Sequence, residues 1–182
     1  VIFFKIPRSC WGRSNQLNHG TRSREHPDEG PEPLPREIRG NLQASKVDSL
    51  CLLLDKHGGV FAVENLFNSI LFHCAPCRDL SAQCSVWKSV FDQCAYGLQL
   101  PGSAIHVFCK KRTATLASFS SMSVLNRTCC GVQPTTHEHE HAWGSRSGDG
   151  VSFKLATALR NANAVFQLSS CLLYTSDAAD DS

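Results

Sequence analysis

The stretch GGVFAVENLFNSILF, from Gly58 to Phe72, contains the pattern that decides the fold. A glycine pair opens it, an apolar run at residues 60–63 follows, and Glu64 and Asn65 come directly after that run. A short apolar run bounded by turn residues is typical of a buried strand, and the two glycines supply a left-handed end for a preceding helix. We therefore predict a helix end, a buried strand, and an acid beside an amide at the carboxyl end of that strand.

The segments on both sides of this strand indicate an α/β domain. A helix is predicted over Asn41–Lys56, because apolar side chains recur there with the spacing of one helical face. The polar, proline-containing segment Pro7–Arg39 has the composition of a long surface loop. Further strands are predicted at Val1–Ile6, Val86–Asp92 and Thr113–Phe119. Strands that alternate with helices predict a layered α/β fold with a mainly parallel sheet, whose ligands bind at the carboxyl ends of the strands.

The end of the chain has a different character. From Cys171 onward the sequence CLLYTSDAADDS resembles a translated sequencing adapter, so we leave residues 171–182 out of the fold prediction. Without it, the acidic residues fall from 16 to 13 and the formal net charge rises from +2 to +5. This mildly basic charge is compatible with a nucleic-acid partner without requiring one. Residues 1–170 have the length of one domain.

Hydropathy and cysteine content restrict the class of protein further. No apolar run approaches the roughly 20 residues that a membrane-spanning helix needs, and no secretory signal is visible. Nine of the ten cysteines remain once the adapter-like segment is removed. An odd number at irregular spacing favours reduced thiols over a disulfide framework. We therefore expect an intracellular protein, cytoplasmic or nuclear, with no membrane association.

A series of motifs downstream of Glu64-Asn65 points to a family. FDQCAYG occupies Phe91–Gly97, a basic pair at Lys111-Arg112 precedes Thr113, and HEHEHAWG ends at Gly144. Together with the acid-amide pair, these motifs resemble the second half of the catalytic domain of DNA cytosine-5 methyltransferases. The resemblance is closer to divergent, retroelement-associated methyltransferase-like open reading frames. It implies that residues 1–170 form a partial Rossmann-like methyltransferase domain, incomplete at its N-terminus.

The resemblance also implies a mechanism and a set of site residues. In the family, a cysteine thiolate adds to a flipped cytosine in DNA, and the ring then takes a methyl group from S-adenosylmethionine. Glu64 would hold and help to protonate the edge of the ring, and Asn65 would orient it. Arg112 would contact the base or stabilise the thiolate.

The nucleophile is the point at which the chain departs from the family. One alignment makes Cys10 the catalytic cysteine, with Ser14 at the expected spacing but Ser9 where the family has proline. The other alignment fits more residues and places His19 at the cysteine position, which predicts no nucleophile. The glycine-rich turn that binds S-adenosylmethionine in the family has no counterpart in the sequence, so the cofactor-binding residues are unknown. We therefore expect a chain that is inactive as it stands.

The histidine cluster is a candidate metal site. In an extended segment, His137, His139 and His141 would share one face, and imidazoles at that spacing can bind zinc. The nearest thiols are Cys129 and Cys130. The simpler interpretation is a solvated polar loop, because a structural zinc site also needs a fourth ligand and supporting hydrogen bonds.

Two alternatives to a methyltransferase-like fragment therefore stay open. The first is a noncatalytic module that binds metal or nucleic acid through the histidines and the basic segment. The second is a decayed or spurious reading frame without function, which would not fold cooperatively.

Overall fold

Three α-helices and six strands occur in the part of the chain that the computed structural model describes, which is residues 1–99, 104, 106–129 and 138–140. The helices are α1 (Arg13–Leu17), α2 (Pro35–Lys56) and α3 (Ala75–Gln83). The strands are β1 (Ile2–Lys5), β2 (Phe61–Leu66), β3 (Trp87–Asp92), β4 (Val107–Cys109), β5 (Arg112–Ala117) and β6 (Glu138–Glu140). Short 3-10 helices lie at Ile70–His73, Gln93–Tyr96 and Ser120–Leu125. None of the described helices is long and apolar enough to cross a bilayer. The adapter-like segment lies outside the described residues.

The main sheet has four strands in the order β1-β2-β5-β3. The expected α/β class is confirmed, but the prediction of a mainly parallel sheet is wrong. Only β1 and β2 pair in parallel, whereas β5 is antiparallel to both β2 and β3. The reason is that the chain passes from β2 through α3 to β3 without pairing the two strands. The chain then turns back, so that β5 fills the space between them in the opposite direction. A second, separate sheet pairs β4 and β6 in parallel.

This topology brings several strand ends to one edge of the main sheet, which we call the carboxyl edge. β1, β2 and β3 all run in the same direction and end there, and β5 begins there. The register shows it directly, because Leu66 pairs with Thr113 and Asp92 pairs with Arg112. Side chains that are distant in sequence therefore meet at the edge where the sequence predicted ligand binding.

The core lies on both faces of the sheet. On one face, Phe61 and Val63 of β2 are buried with residues from α2 and α3, including Leu80. On the other face, Phe91 packs in a smaller cluster with Met122. Burying an apolar side chain of this size contributes about 1.5–3 kcal/mol, so the β2 strand predicted from GGVFAVEN is anchored mainly by its alternating apolar residues.

Helix α2 begins at Pro35, earlier than the predicted start at Asn41. Proline is favoured in the first turn of a helix, and the Glu37 carboxylate accepts a hydrogen bond from Leu34 N at 2.8 Å, which satisfies a backbone donor before the helix. The predicted surface loop Pro7–Arg39 is also wrong in part. It contains α1, and the side chains of Trp11 and Arg22 within it are fully buried.

Candidate functional site

Glu64 and Asn65 lie inside β2 rather than after it, because the strand continues to Leu66. Both side chains are buried. In the register, Glu64 stands between Lys5 of β1 and Thr115 of β5. The acid therefore sits close to the carboxyl edge, as predicted, but within a paired strand.

The Asn65 side-chain amide bonds to backbone groups through both its nitrogen and its oxygen. Its Nδ2 donates to Ile6 O at 3.0 Å, and its Oδ1 accepts from Leu66 N at 2.9 Å. The bond to Ile6 O extends the connection between β1 and β2 beyond their last pair, Lys5 and Glu64. In this arrangement the amide fixes the chain that leaves β1, and its predicted role in orienting a base stays a prediction.

Cys10 lies in the segment that leaves β1 and is almost completely buried. Its Sγ is packed against the backbone of Gly40 in α2. Burial raises the pKa of the Cys10 thiol, although the nearby Arg22 guanidinium opposes this. A nucleophilic cysteine needs a lowered pKa, so the environment favours the neutral thiol. His19, the alternative occupant of the nucleophile position, is exposed and has a left-handed backbone with φ of 59°.

Arg112 begins β5 at the carboxyl edge and is exposed. Its guanidinium lies over the Phe67 ring, 4.6 Å from the ring centroid. Arg112 O also accepts a hydrogen bond from Phe67 N at 3.1 Å. The predicted base-contacting residue is thus at the same edge as Glu64, where it forms a cation–π contact with the residue that follows β2.

Lys111 is buried in a way that the sequence did not predict. The basic run Lys110 to Arg112 has the composition of a solvated edge, and Lys110 and Arg112 are indeed exposed. Lys111 is only 7% exposed, and its Nζ has no hydrogen-bond partner. Successive side chains of an extended segment point to opposite sides, which explains why the middle residue alone turns inward.

Three potential metal ligands converge beyond the end of β3. Cys94 Sγ, Cys129 Sγ and a ring nitrogen of His139 all lie within 4.8 Å of one another. The distance from Cys129 Sγ to His139 Nε2 is 3.3 Å. Tetrahedral zinc with ordinary Zn–S and Zn–N bonds would separate such a pair by about 3.6 Å. The group therefore needs little adjustment to hold a metal ion.

Three different segments supply these side chains. Cys94 lies in the 3-10 helix after β3, Cys129 follows the 3-10 helix Ser120–Leu125, and His139 is the central residue of β6. The buried Asp92 carboxylate accepts a hydrogen bond from Cys129 N at 2.8 Å and so fixes the position of that thiol. Burial, a hydrogen bond with Cys129 and the Asp92 charge raise the pKa of Cys94 to about 12. A metal ion would have to displace that proton.

The structure includes one member of the predicted histidine site and adds a residue that was missed. His139 joins the group, whereas His137 and His141 lie outside the described residues. The sequence indicates Cys129 and Cys130 as nearby thiols, of which Cys130 lies outside the described residues, but it does not indicate Cys94. Its only sequence signal is its position in FDQC, two residues after the end of β3, which does not reveal that a segment far downstream returns to it.

A scan against models of protein families found no match, and searches of curated proteins and of solved structures found none either. The function therefore has to be inferred from the arrangement of the residues themselves.

Proposed function

We propose that this protein is a zinc-binding α/β module in which one Zn²⁺ joins Cys94, Cys129 and His139. The observation that carries the proposal is the convergence of two thiols and an imidazole from three separate segments to within 4.8 Å. Exposed acidic groups often cluster without binding a metal ion. A buried thiol beside a second thiol and a histidine ring, by contrast, is a donor set typical of zinc sites.

The donor chemistry selects the metal. Thiolate and imidazole ligands suit zinc, whereas calcium and magnesium prefer oxygen ligands. Three protein ligands leave one tetrahedral position for a water molecule or another donor. Asp92 holds the backbone of Cys129 through its Oδ2, which is the kind of supporting hydrogen bond that orients metal ligands.

A zinc ion at this place would have a structural effect. β4 and β6 pair over three residues each, and a two-stranded sheet of that size is marginal on its own. Cys94 is attached to the main sheet through β3, and His139 lies in β6. Zinc would therefore join the small sheet to the main sheet, and its binding free energy would become folding free energy.

The test is the metal content of the purified chain. After dialysis under reducing conditions, inductively coupled plasma mass spectrometry should find about one zinc per chain. Cys94→Ser and His139→Ala should each lose it. The matched controls are His106→Ala, an exposed histidine beside β4, and Cys51→Ala, a buried thiol in α2. Both controls should keep the metal. Zinc retained at full occupancy in His139→Ala would contradict the proposal, as would wild-type protein that binds none.

A methyltransferase-like function is the second candidate, and the carboxyl edge favours it. Glu64 and Arg112 lie at that edge, and Cys10 lies in the segment that follows β1. In mainly parallel α/β sheets ligands bind at the carboxyl ends of the strands, and β1, β2 and β3 all end at this edge although β5 is antiparallel to β2 and β3. The intact protein would act on cytosine in DNA with S-adenosylmethionine as methyl donor. The raised pKa of the buried Cys10 thiol supports the expectation that this chain is inactive.

A methyl-transfer assay separates this candidate from the first. The chain would be joined to the cofactor-binding half of an active methyltransferase-like protein of the same type, and transfer of labelled methyl groups to DNA would be measured. Glu64→Ala should abolish transfer, and Glu32→Ala, at an exposed position, should not. Unchanged transfer in Glu64→Ala would disprove the role of Glu64. A cooperative thermal transition of the chain alone would exclude the decayed reading frame.

A further inference from the structure

Cys129 is the most accessible cysteine in the part of the chain that the structure describes. The seven other described cysteines are buried, whereas Cys129 is half-buried. The oxidation of a thiol depends on its exposure to solvent. Among the described cysteines, Cys129 is therefore the one that a small oxidant in solution reaches first.

Two reactive groups lie beside the Cys129 sulfur. His139 Nε2 is 3.3 Å from Cys129 Sγ, and Cys94 Sγ lies within 4.8 Å of both atoms. A thiol next to an imidazole is an arrangement in which cysteine acts as a nucleophile, and a second thiol can condense with the oxidised sulfur. The Asp92 carboxylate accepts a hydrogen bond from Cys129 N at 2.8 Å, which keeps the first thiol close to the second.

We propose that Cys129 and Cys94 form a peroxide-sensitive thiol pair, which closes to a disulfide when the site holds no zinc. The Cys129 sulfur attacks one oxygen of hydrogen peroxide and the O–O bond breaks. The departing hydroxide takes the thiol proton, which gives a sulfenic acid and one water. The Cys94 sulfur then attacks the Cys129 sulfur, the S–O bond breaks, and the leaving hydroxide takes the Cys94 proton as a second water. The two thiols together lose two electrons, and the peroxide gains them.

The disulfide and the zinc ion exclude each other. Each sulfur binds zinc as a thiolate, so a disulfide between Cys94 and Cys129 would leave His139 as the one remaining ligand of the three and release the metal. In this effect on zinc the inference rests on the proposed function, whereas the oxidation of the two thiols does not. Reduction by an external thiol would restore the site, because disulfide formation is reversible.

Cys74 and Cys77 are the competing pair, because they form a C-x-x-C sequence at the start of α3. Such a sequence is a common redox centre. Both of these thiols, however, belong to the hydrophobic core, and their exposed fractions are 0% and 6%. We therefore expect peroxide to oxidise the pair that includes the half-buried Cys129.

The test treats the reduced, zinc-free, full-length chain with hydrogen peroxide. Peptide mapping by mass spectrometry without reduction should find a disulfide between Cys94 and Cys129 in wild type. Cys94→Ser cannot close this disulfide and should instead retain a sulfenic acid at Cys129, which dimedone traps. The matched control is Cys77→Ser, which removes another buried thiol and should form the disulfide as wild type does. Cys130→Ser should also form it, which shows that the adjacent cysteine is not the partner.

A second measurement follows the metal. Zinc-loaded wild type should release about one zinc ion per disulfide formed, detected with a metallochromic indicator, and should bind it again after reduction with dithiothreitol. Zinc binding without the disulfide would overturn this inference and leave the proposed function standing, whereas the disulfide in a chain that binds no zinc would do the reverse. The inference is also overturned if peroxide joins Cys74 to Cys77 instead, or if Cys130→Ser no longer forms the disulfide.

Discussion

Glu37 in α2 and Lys111 before β5 are both buried charged side chains, but their surroundings differ completely. The Lys111 ammonium group has no hydrogen-bond partner. The Glu37 carboxylate accepts hydrogen bonds from Asn15 Nδ2, Thr21 N, Thr21 Oγ1, Arg22 N and Leu34 N, at distances between 2.7 and 3.3 Å. A buried charge that is fully satisfied fixes structure, whereas a buried charge that is not satisfied lowers the stability of the folded state.

The surroundings of Glu37 explain how a polar, proline-containing segment becomes ordered. Arg22 lies over the Trp11 ring, 3.6 Å from its centroid. It also donates to the backbone oxygen of Glu37 and, at 2.7 Å, to Asn41 Oδ1. One carboxylate and one guanidinium thereby tie the residues before α2 to the helix itself. These contacts add to the apolar burial of Cys10 and Trp11, which belong to the hydrophobic core.

Replacing Glu37 should have the largest effect on stability. Glu37→Gln keeps the shape of the side chain but replaces one accepting oxygen with an amide NH₂ group. This group cannot accept hydrogen bonds from the five donors that surround Glu37. We expect a loss of about 3–5 kcal/mol in the free energy of unfolding at pH 7, as for breaking other buried charge networks. Chemical denaturation would measure it, with Glu32→Gln at an exposed position as the control. A loss no larger in Glu37→Gln than in Glu32→Gln would show that the hydrogen bonds contribute little.

The same residue predicts an acid-sensitive stability. Burial tends to raise the pKa of Glu37, but hydrogen bonds from Asn15, Leu34 and Thr21 outweigh it and lower the pKa from 4.5 to about 2. Because the folded pKa is the lower one, the contribution of Glu37 is complete above about pH 4.5 and is lost as the pH falls towards 2. Wild type should lose stability over this range, and Glu37→Gln should lose less.

Replacing Lys111 should increase the free energy of unfolding, whereas replacing Glu37 should decrease it. Burial and the Arg8 charge lower the pKa of Lys111 from 10.5 to about 7, with Lys5 acting in the same direction and Glu64 and Cys109 against it. The unfolded chain therefore binds more protons between about pH 7 and 10.5, so stability rises with pH across that window. Lys111→Met should gain about 2–3 kcal/mol near pH 7, and the gain should shrink towards pH 10.

Denaturation curves at several pH values would test this prediction, and Lys110→Met is the control. If Lys111→Met is destabilised at every pH, Lys111 belongs with Glu37 as a structural charge, and the contrast between the two residues is removed.

Sequence patterns predicted the positions of the strands but not their order in the sheet. Short apolar runs predicted β1, β2, β3 and β5, and the structure has all four, although β2 continues to Leu66, three residues beyond its predicted end. The order of the strands was not predictable in the same way. An apolar run indicates that a strand is buried, but not which strands it pairs with or in which direction. Nothing in Thr113–Phe119 therefore shows that this strand lies antiparallel between two others.

The sites depend even more on long-range contacts. The burial of Lys111 follows from which side of an extended segment faces the sheet, which its basic neighbours conceal. Cys94 joins Cys129 and His139 only because the chain returns to the end of β3. Glu37 could have been noticed, because proline followed two residues later by glutamate is a known helix-start signal. The composition of the surrounding segment hid that signal.

The smallest predicted effect tests the packing beside Glu37. In a helix interior, replacing glycine with alanine ordinarily stabilises by about 0.5–1 kcal/mol. A Cβ on Gly40, however, would overlap Cys10 Sγ and lie 3.3 Å from Trp11 Nε1. Overpacking of this kind costs about 1–3 kcal/mol, so Gly40→Ala should be destabilised by roughly 1 kcal/mol after the helical gain is included.

A double-mutant cycle with Cys10→Ala shows whether the thiol causes that loss. Removing Sγ opens the space that the new Cβ needs, so Gly40→Ala should become neutral or stabilising in the Cys10→Ala background. Chemical denaturation of the four proteins gives the coupling energy. A Gly40→Ala protein that is more stable than wild type would mean that Cys10 moves aside easily, and a mobile Cys10 would again be a candidate nucleophile. If Gly40→Ala is destabilised and Cys10→Ala restores the stability, Cys10 is held in place by packing. Cys10 would then be a structural residue, as Glu37 is, rather than a nucleophile.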